Sequence, residues 1–360
     1  MIVSIPHVTP TRNLLAGLSA SLLVLASGAT ATAAPINVPW SPDGSLDSEV
    51  EFVSNGSTLY GSVRTPIGEP RGAALLIPGS GPTDRNGNQA GGVTPNTLAY
   101  IADALAERGI ATLRFDKVGS GRTGATGIDP SDPPGFVDGI DAAEAALEVL
   151  SQRTGFTGDD LAVLGHSEGT LTALSLKERG ADFGPIGLLE PAALRFLDLL
   201  TVQIDSNLRH GVAAGQLTPE AADAERARLA ETVDALRNDR PLPYPDDPSL
   251  SALGIREINA KYLTEVDAVD AREIAATLPS STKVLLTCSE KDLNVSCDQI
   301  DGLYDALDGT DVDYAKFANS SHLLSELGPL PATQFDIYVP LPQSSEFRGV
   351  LDAWADSAFS

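Results

Sequence analysis

The 360 residues carry 24 Lys+Arg against 49 Asp+Glu, a formal net charge of −25 that repels phosphate backbones and anionic lipid surfaces, so no nucleic-acid partner is expected. A hydrophobic share of 42% supports one sizeable core, and 33 Gly with 25 Pro supply turns without reaching a disordered composition. One α/β domain with an insertion fits these numbers, and the acidic excess reads as solvated surface.

The chain opens with a distinct segment. Arg12 precedes "LLAGLSASLLVLASG" and the small-residue run "ATATAAP", the pattern of a secretory signal peptide over 1–33 with cleavage after Ala33. Its strongly apolar part, Leu14 to Ala26, is short for a membrane span, and no later segment is long and apolar enough. A secreted or periplasmic location without stable membrane insertion after cleavage is therefore expected. A Pro/Ser/Asp-rich leader is assigned to 34–48.

Next, "VEFVSNGSTLYGSVRTP" alternates and turns at Asn55-Gly56, the signal of an antiparallel hairpin. Strands and helices then take turns: "RGAALLIPG", the helix "PNTLAYIADALAERG", "IATLRFD", the helix "GFVDGIDAAEAALEVLSQRTG", "DLAVLG" and "PIGLLE". This rhythm predicts an α/β fold, a mostly parallel central sheet with helices on both faces and sites beyond the strands' carboxyl ends. The core is assigned to 49–194 and 279–360. Between them, 195–278 reads as helices without strands, including "LTPEAADAERARLAETVDALRND" with Thr218 as cap and Pro219 in the first turn, and is taken as an inserted helical lid. The sheet resumes with "TKVLLTC" and "DVDYAKFA", and "SSEFRGVLDAWADSAF" closes the chain as a helix. No internal repeat is visible.

Within "DDLAVLGHSEGTLTALSLKERG", Gly165-His166-Ser167-Glu168-Gly169 has the form G-x-S-x-G, a strand turning sharply into a helix and lifting one hydroxyl out of the turn. Ser167 is thus a candidate nucleophile, and a serine needs a base and an acid that orients it. Only four histidines compete for the base. His7 falls in the signal segment, His166 adjoins the serine and is expected to point elsewhere, and His210 lies in the lid. His322 remains, after the last core strand. For the acid, "KVLLTCSEKDLNV" offers Glu290 and Asp292 at a strand end; Asp292 is chosen, and Glu190 in "IGLLEPAAL" is the rival position. Backbone donors for a developing oxyanion are expected from Ser80 in "LLIPGSGPTDRNGN" and from Glu168, with Gly81 the neighbour able to displace Ser80.

Gly119-Ser120-Gly121-Arg122-Thr123-Gly124 matches G-x-G-x-x-G after a strand, yet "ATGIDPSDPPG" follows, and its prolines prevent the helix a dinucleotide site requires. These glycines and Asp116 read as a structural turn. Cys288 ends a strand and Cys297 begins a helix, so the loop carrying Asp292 turns back between them; in an exported chain with two cysteines, a disulfide is expected.

Taken together, "PGSGP" with Asp84-Arg85 and Gly87-Asn88, "RFDKVGSGRT", "GHSEG", "SEKDLNV" and "SSHLL" resemble a group of bacterial α/β-hydrolase serine esterases over most of residues 50 to 325. The resemblance implies hydrolysis of small-molecule carboxylic esters through an acyl-enzyme, with no metal or organic cofactor. The lid and the extended "ELGPLPATQFDIYVPLPQ" after His322 depart from the group, so substrate identity does not carry over. A serine aminopeptidase or amidase on the same scaffold would need an acidic lid group for the substrate's amino terminus. A non-catalytic binding protein would not need the ordered triad. Oligomeric state is not legible in the sequence.

Overall fold

A computed structural model describes residues 46–360 apart from 127, 334 and 340. The expected signal peptide, and the leader up to residue 45, lie outside the described residues. Strand β1 (Leu46–Ser54) takes in the end of the segment expected as leader and pairs antiparallel with β2 (Ser57–Thr65). Asn55 and Gly56 between them both take left-handed φ, 46° and 75°, as a two-residue hairpin turn demands.

The alternating part of the chain forms β3 (Gly72–Ile77), α1 (Thr97–Glu107), β4 (Ile110–Phe115), α2 (Phe136–Thr154), β5 (Leu161–His166), α3 (Gly169–Glu178) and β6 (Ile186–Leu189). After a helical stretch come β7 (Lys283–Ser289), α9 (Cys297–Ala306), β8 (Asp311–Phe317) and α10 (Ser345–Ala358). The eight strands make one sheet in the order β1-β2-β4-β3-β5-β6-β7-β8, parallel from β4 to β8 and antiparallel at the hairpin end. Strands β3 to β6 are buried along their whole length, which is why they read as unbroken apolar runs.

Side chains of β3 alternate between two cores. Ala73, Leu75 and Ile77 face a layer that includes α2, α3 and α9, while Ala74 and Leu76 meet Leu98, Ile101, Phe347 and Trp354 of α1 and α10. The sheet is thus covered on both faces, and its carboxyl ends are free to build a site.

Between β6 and β7 the described chain is helical: α4 (Phe196–Ala213), α5 (Pro219–Arg237), α6 (Pro248–Ala252), α7 (Ala260–Asp267) and α8 (Ala271–Ala275). The Thr218 hydroxyl caps α5, accepting from Ala221 N–H at 3.2 Å. Asp267, buried at the end of α7, draws three elements together, accepting from Leu197 N–H at 2.9 Å, Arg195 at 2.8 Å and Arg237 at 2.9 Å. Helix α8 packs on α3 and α9. Among the described residues no helix is long and apolar enough to cross a membrane.

Candidate active site

Ser167 stands where β5 ends and α3 begins, with φ of 55°. That backbone is costly for a residue with a Cβ and persists because its surroundings dictate it. A Cβ on Gly165 would collide with the Gly169 carbonyl, and one on Gly169 would lie 2.6 Å from the carbonyl oxygens of Ile77 and Pro78. The glycines therefore let strand, helix and the β3 exit pass closely. Ser167 N–H is tied to Leu189 C=O at 2.9 Å, which holds the turn to β6.

The structure brings Ser167, His322 and Asp292 together in a line. The Ser167 hydroxyl meets His322 Nε2 at 3.0 Å, and His322 Nδ1 meets Asp292 Oδ2 at 2.6 Å. Both contacts are satisfied with the proton on Nδ1, so Nε2 accepts from the serine. The Asp292 side chain is wholly buried, and its other oxygen accepts from the N–H groups of Asn294 at 2.6 Å and Val295 at 3.0 Å. Cys288 and Cys297 are joined by a disulfide, Cα to Cα 5.4 Å, that closes this same loop. Lys291 reaches across to Asn319 at 3.1 Å and to the carbonyls of Gly328 and Leu330, fastening the Asp292 loop to the chain on both sides of His322.

Glu190, the rival acid, is elsewhere occupied. Fully buried beside β7, it accepts from Ser289 N–H at 2.8 Å, the Ser289 hydroxyl at 3.0 Å and the Thr287 hydroxyl at 3.2 Å. Burial, with the Asp292 charge close by, pushes its carboxyl well above the usual carboxylate range.

Ser80 and Glu168 both line the pocket over Ser167, as does the Gly79 that precedes them. Glu168 is the cap of α3, where a helix leaves backbone N–H groups unpaired within itself. Ser80 C=O accepts from Gln89 Nε2 at 2.8 Å and the Thr83 hydroxyl at 3.0 Å. Behind this loop, Asp84 accepts from the N–H groups of Asn86 and Asn88 at 2.8 and 2.9 Å, while buried Arg85 forms a two-pronged pair with Asp116 at 3.0 and 2.7 Å. Asp116 also accepts from Arg122 N–H at 2.8 Å, and Gly119 N–H bonds Gly124 C=O at 2.7 Å. The glycine-rich stretch after β4 is thus a turn that braces the Ser80 loop.

His166 departs from expectation. It does not point away: its Nε2–H donates to the His322 carbonyl at 2.8 Å, and the two rings lie 5.0 Å apart. The left-handed turn at Ser167 swings consecutive side chains out of the usual strand alternation, which places this ring in the pocket wall. Burial, and then the neighbouring His322, lower its pKa to about 4, so it stays neutral while it holds the loop of His322.

The pocket is otherwise walled by Phe196, Leu199 and Leu200 of α4, Leu323 beside His322, and Ile337 from the extended segment. Gln203 of α4 donates to Asn294 C=O at 2.8 Å, linking the helical wall to the acid loop. None of these wall residues, nor Lys117 and Tyr262 around Glu168, was singled out from sequence. Two of them stand in stretches that carry the resemblance, Lys117 in "RFDKVGSGRT" and Leu323 in "SSHLL".

A mostly parallel eight-stranded sheet with a serine on the turn after β5, an acid after β7 and a histidine after β8 defines the α/β-hydrolase fold. No family model matches the sequence, and no curated protein does. Among solved structures, an esterase from Pyrococcus furiosus superposes with a TM-score of 0.53 at 11% identity, over 87% of this chain and 91% of that one. Est1E from Butyrivibrio proteoclasticus gives 0.51 at 14% identity, over 86% and 96%. The esterase domain of a Rhodothermus marinus protein gives 0.50 at 18% identity, over 87% and 99%. At such identities the shared property is the fold.

Proposed function

We propose that this protein is a secreted or periplasmic serine hydrolase that cleaves carboxylic esters of small to medium acyl groups. The observation that carries the reading is the unbroken hydrogen-bond line from Ser167 through His322 to Asp292. Ser167 Oγ attacks the ester carbonyl carbon while its proton passes to His322 Nε2, and Asp292 stabilises the imidazolium. Backbone N–H groups of Ser80 and Glu168 hold the oxyanion. Collapse of the tetrahedral intermediate expels the alcohol, which takes the proton from Nε2. Water then attacks the acyl-enzyme by the same route and releases the acid.

The helices of 195–278 act as a lid, since α4 supplies Phe196, Leu199 and Leu200 to the wall and limits acyl size. The aminopeptidase reading needs a carboxylate there for the substrate's ammonium, and among the described pocket residues α4 offers Gln203 but no acid. Export rests on the apolar amino-terminal segment and its small-residue cleavage pattern.

The test is fluorophosphonate labelling of the mature protein, followed by a panel of p-nitrophenyl esters and matched peptide amides. Labelling confined to Ser167 and turnover of the shorter esters are expected. A protein that labels nowhere, or that prefers peptides, removes the proposal.

A further inference from the structure

Against the nucleophile sits a second polar cluster that the triad does not use. Lys117 Nζ donates to the Gly79 carbonyl at 3.0 Å and to Glu168 Oε1 at 3.2 Å, and that same Oε1 accepts from the Tyr262 hydroxyl at 2.5 Å. Its members come from separate parts of the chain: the loop leaving β4, the turn after Ser167, and helix α7. Glu168 is 2% exposed, and its Oε2 has no hydrogen-bond partner among the described residues, so the carboxylate leans on Lys117 and Tyr262. Burial and the Glu168 charge push the Tyr262 hydroxyl far above its ordinary range, which keeps it a donor.

The position of Lys117 matters because of what a peptide group is. The Gly79 carbonyl and the Ser80 N–H belong to one plane, and no peptide bond among the described residues is cis, so the two point in opposite directions. A donor that grips Gly79 O therefore fixes the direction of Ser80 N–H. The following peptide is fixed from another side, by Gln89 and Thr83 on Ser80 O. Lys117's second bond ends on Glu168, the residue whose own N–H is the other proposed oxyanion donor. One ammonium group thus spans both halves of that site.

Stability alone is a poor reason for this arrangement, because a buried ion pair rarely outdoes a well-packed apolar pair of the same volume. Orientation is a better one. Donors aimed before charge develops need no reorganisation in the transition state, and a slack peptide would. The stem of Lys117 borders an apolar cavity lined by Leu59, Phe115, Val118 and Tyr262, which turns its charged end toward Gly79 and Glu168.

We propose that Lys117 is a positioning residue that sets the Gly79–Ser80 peptide for oxyanion binding, and that Tyr262 couples this setting to the helical segment above it. The proposal rests on the reading of Ser80 and Glu168 as oxyanion donors.

Lys117→Met alone would strand the buried Glu168 charge, so the test uses Lys117→Met together with Glu168→Gln, which removes the charge and leaves an acceptor for Tyr262. Three quantities are measured: kcat and KM on a short p-nitrophenyl ester, the affinity of a trifluoromethyl ketone that forms a tetrahedral adduct on Ser167, and the affinity of an unreactive amide of the same shape. The expected result is a kcat lower by about 10²-fold with KM within about twofold, and ketone affinity lower by the same factor, with amide affinity unchanged. A kcat within about threefold of the parent, or equal losses for ketone and amide, overturns the clamp.

Tyr262→Phe deletes one hydroxyl and no charge, and it carries the test alone if the double variant does not fold. There kcat and ketone affinity fall together by about fivefold, and unchanged values overturn the proposal. Ser167→Ala serves as the control, because turnover surviving in it would remove the serine-hydrolase reading itself rather than the clamp.

Discussion

At the floor of the pocket Ser167, His322 and Asp292 are joined by hydrogen bonds of 3.0 and 2.6 Å, whereas the wall above them is Phe196, Leu199, Leu200, Leu323 and Ile337. Directional bonds to charged or ionisable groups tolerate one geometry, and the floor is tied from behind: Ser167 N–H to Leu189 C=O, the His322 carbonyl to the His166 ring, and Asp292 to two backbone N–H groups on a loop closed by a disulfide. Apolar contact is non-directional and asks only for volume. On the proposed function, chemistry and selectivity are thereby held by different forces, and each is open to change without the other.

The sharpest way to break that separation is at the floor. Ser167→Ala and His322→Ala should each lower ester turnover by at least about four orders of magnitude while circular dichroism stays that of the parent, because triad members act as a unit. Near-normal turnover in either would dissolve the distinction between floor and wall. Asp292→Asn should cost about 10³ to 10⁴ in kcat by favouring the wrong imidazole tautomer. Glu190→Gln, an amide in place of a carboxyl that burial already favours keeping neutral, should stay within about tenfold. The reverse ranking would move the acid to the end of β6.

At the wall the expected effect is smaller and selective. Leu200→Trp should lower kcat/KM for a hexanoyl ester by about tenfold relative to an acetyl ester, with the rate of fluorophosphonate labelling unchanged. Equal losses on both esters would mean that the wall reaches into the chemistry. The smallest effect is on stability. His166 titrates near 4 in the folded chain and near 6.5 when unfolded, so the unfolded chain takes up its proton first on acidification. The stability this group confers is complete above about pH 6.5 and is lost as pH falls toward 4. Urea midpoints measured across that window should decline less steeply in His166→Gln, which keeps a donor for the His322 carbonyl; an unchanged slope would assign the decline to other groups.

The same division decides what the sequence shows of this molecule. Ser167, Asp292 and His322 could be picked out because the chemistry needs scarce residue types in a fixed order along the chain, and only four histidines competed. The alternating core was legible because buried strands and amphipathic helices have different periods. The wall has no such grammar: Ile337 lies in a segment without a motif, and any aliphatic residue of similar size would serve there. Tyr262 stands 94 residues from the Glu168 it touches, a pairing that no local pattern announces. The place of the His166 ring is not legible because it depends on the left-handed turn at Ser167, whose φ of 55° breaks the alternation of neighbouring side chains. The start of β1 reads as leader because an edge strand's outer face is as polar as a linker.

An open sheet has two rims, and here they are β1 and β8. Among the described residues no further strand pairs with either rim, and such a rim is the usual starting point for strand-by-strand aggregation. Exposed Glu51 lies along one, next to a Glu49 that is paired with Arg85 and Arg122, and exposed Asp311 and Asp313 lie along the other. Two copies drawing together edge to edge would bring like charges close, on top of the repulsion between bodies of net charge −25. The acidic surface that plays no part in the chemistry thus acts as a guard on colloidal behaviour, one that weakens as carboxylates take up protons and concentrated solutions turn sour.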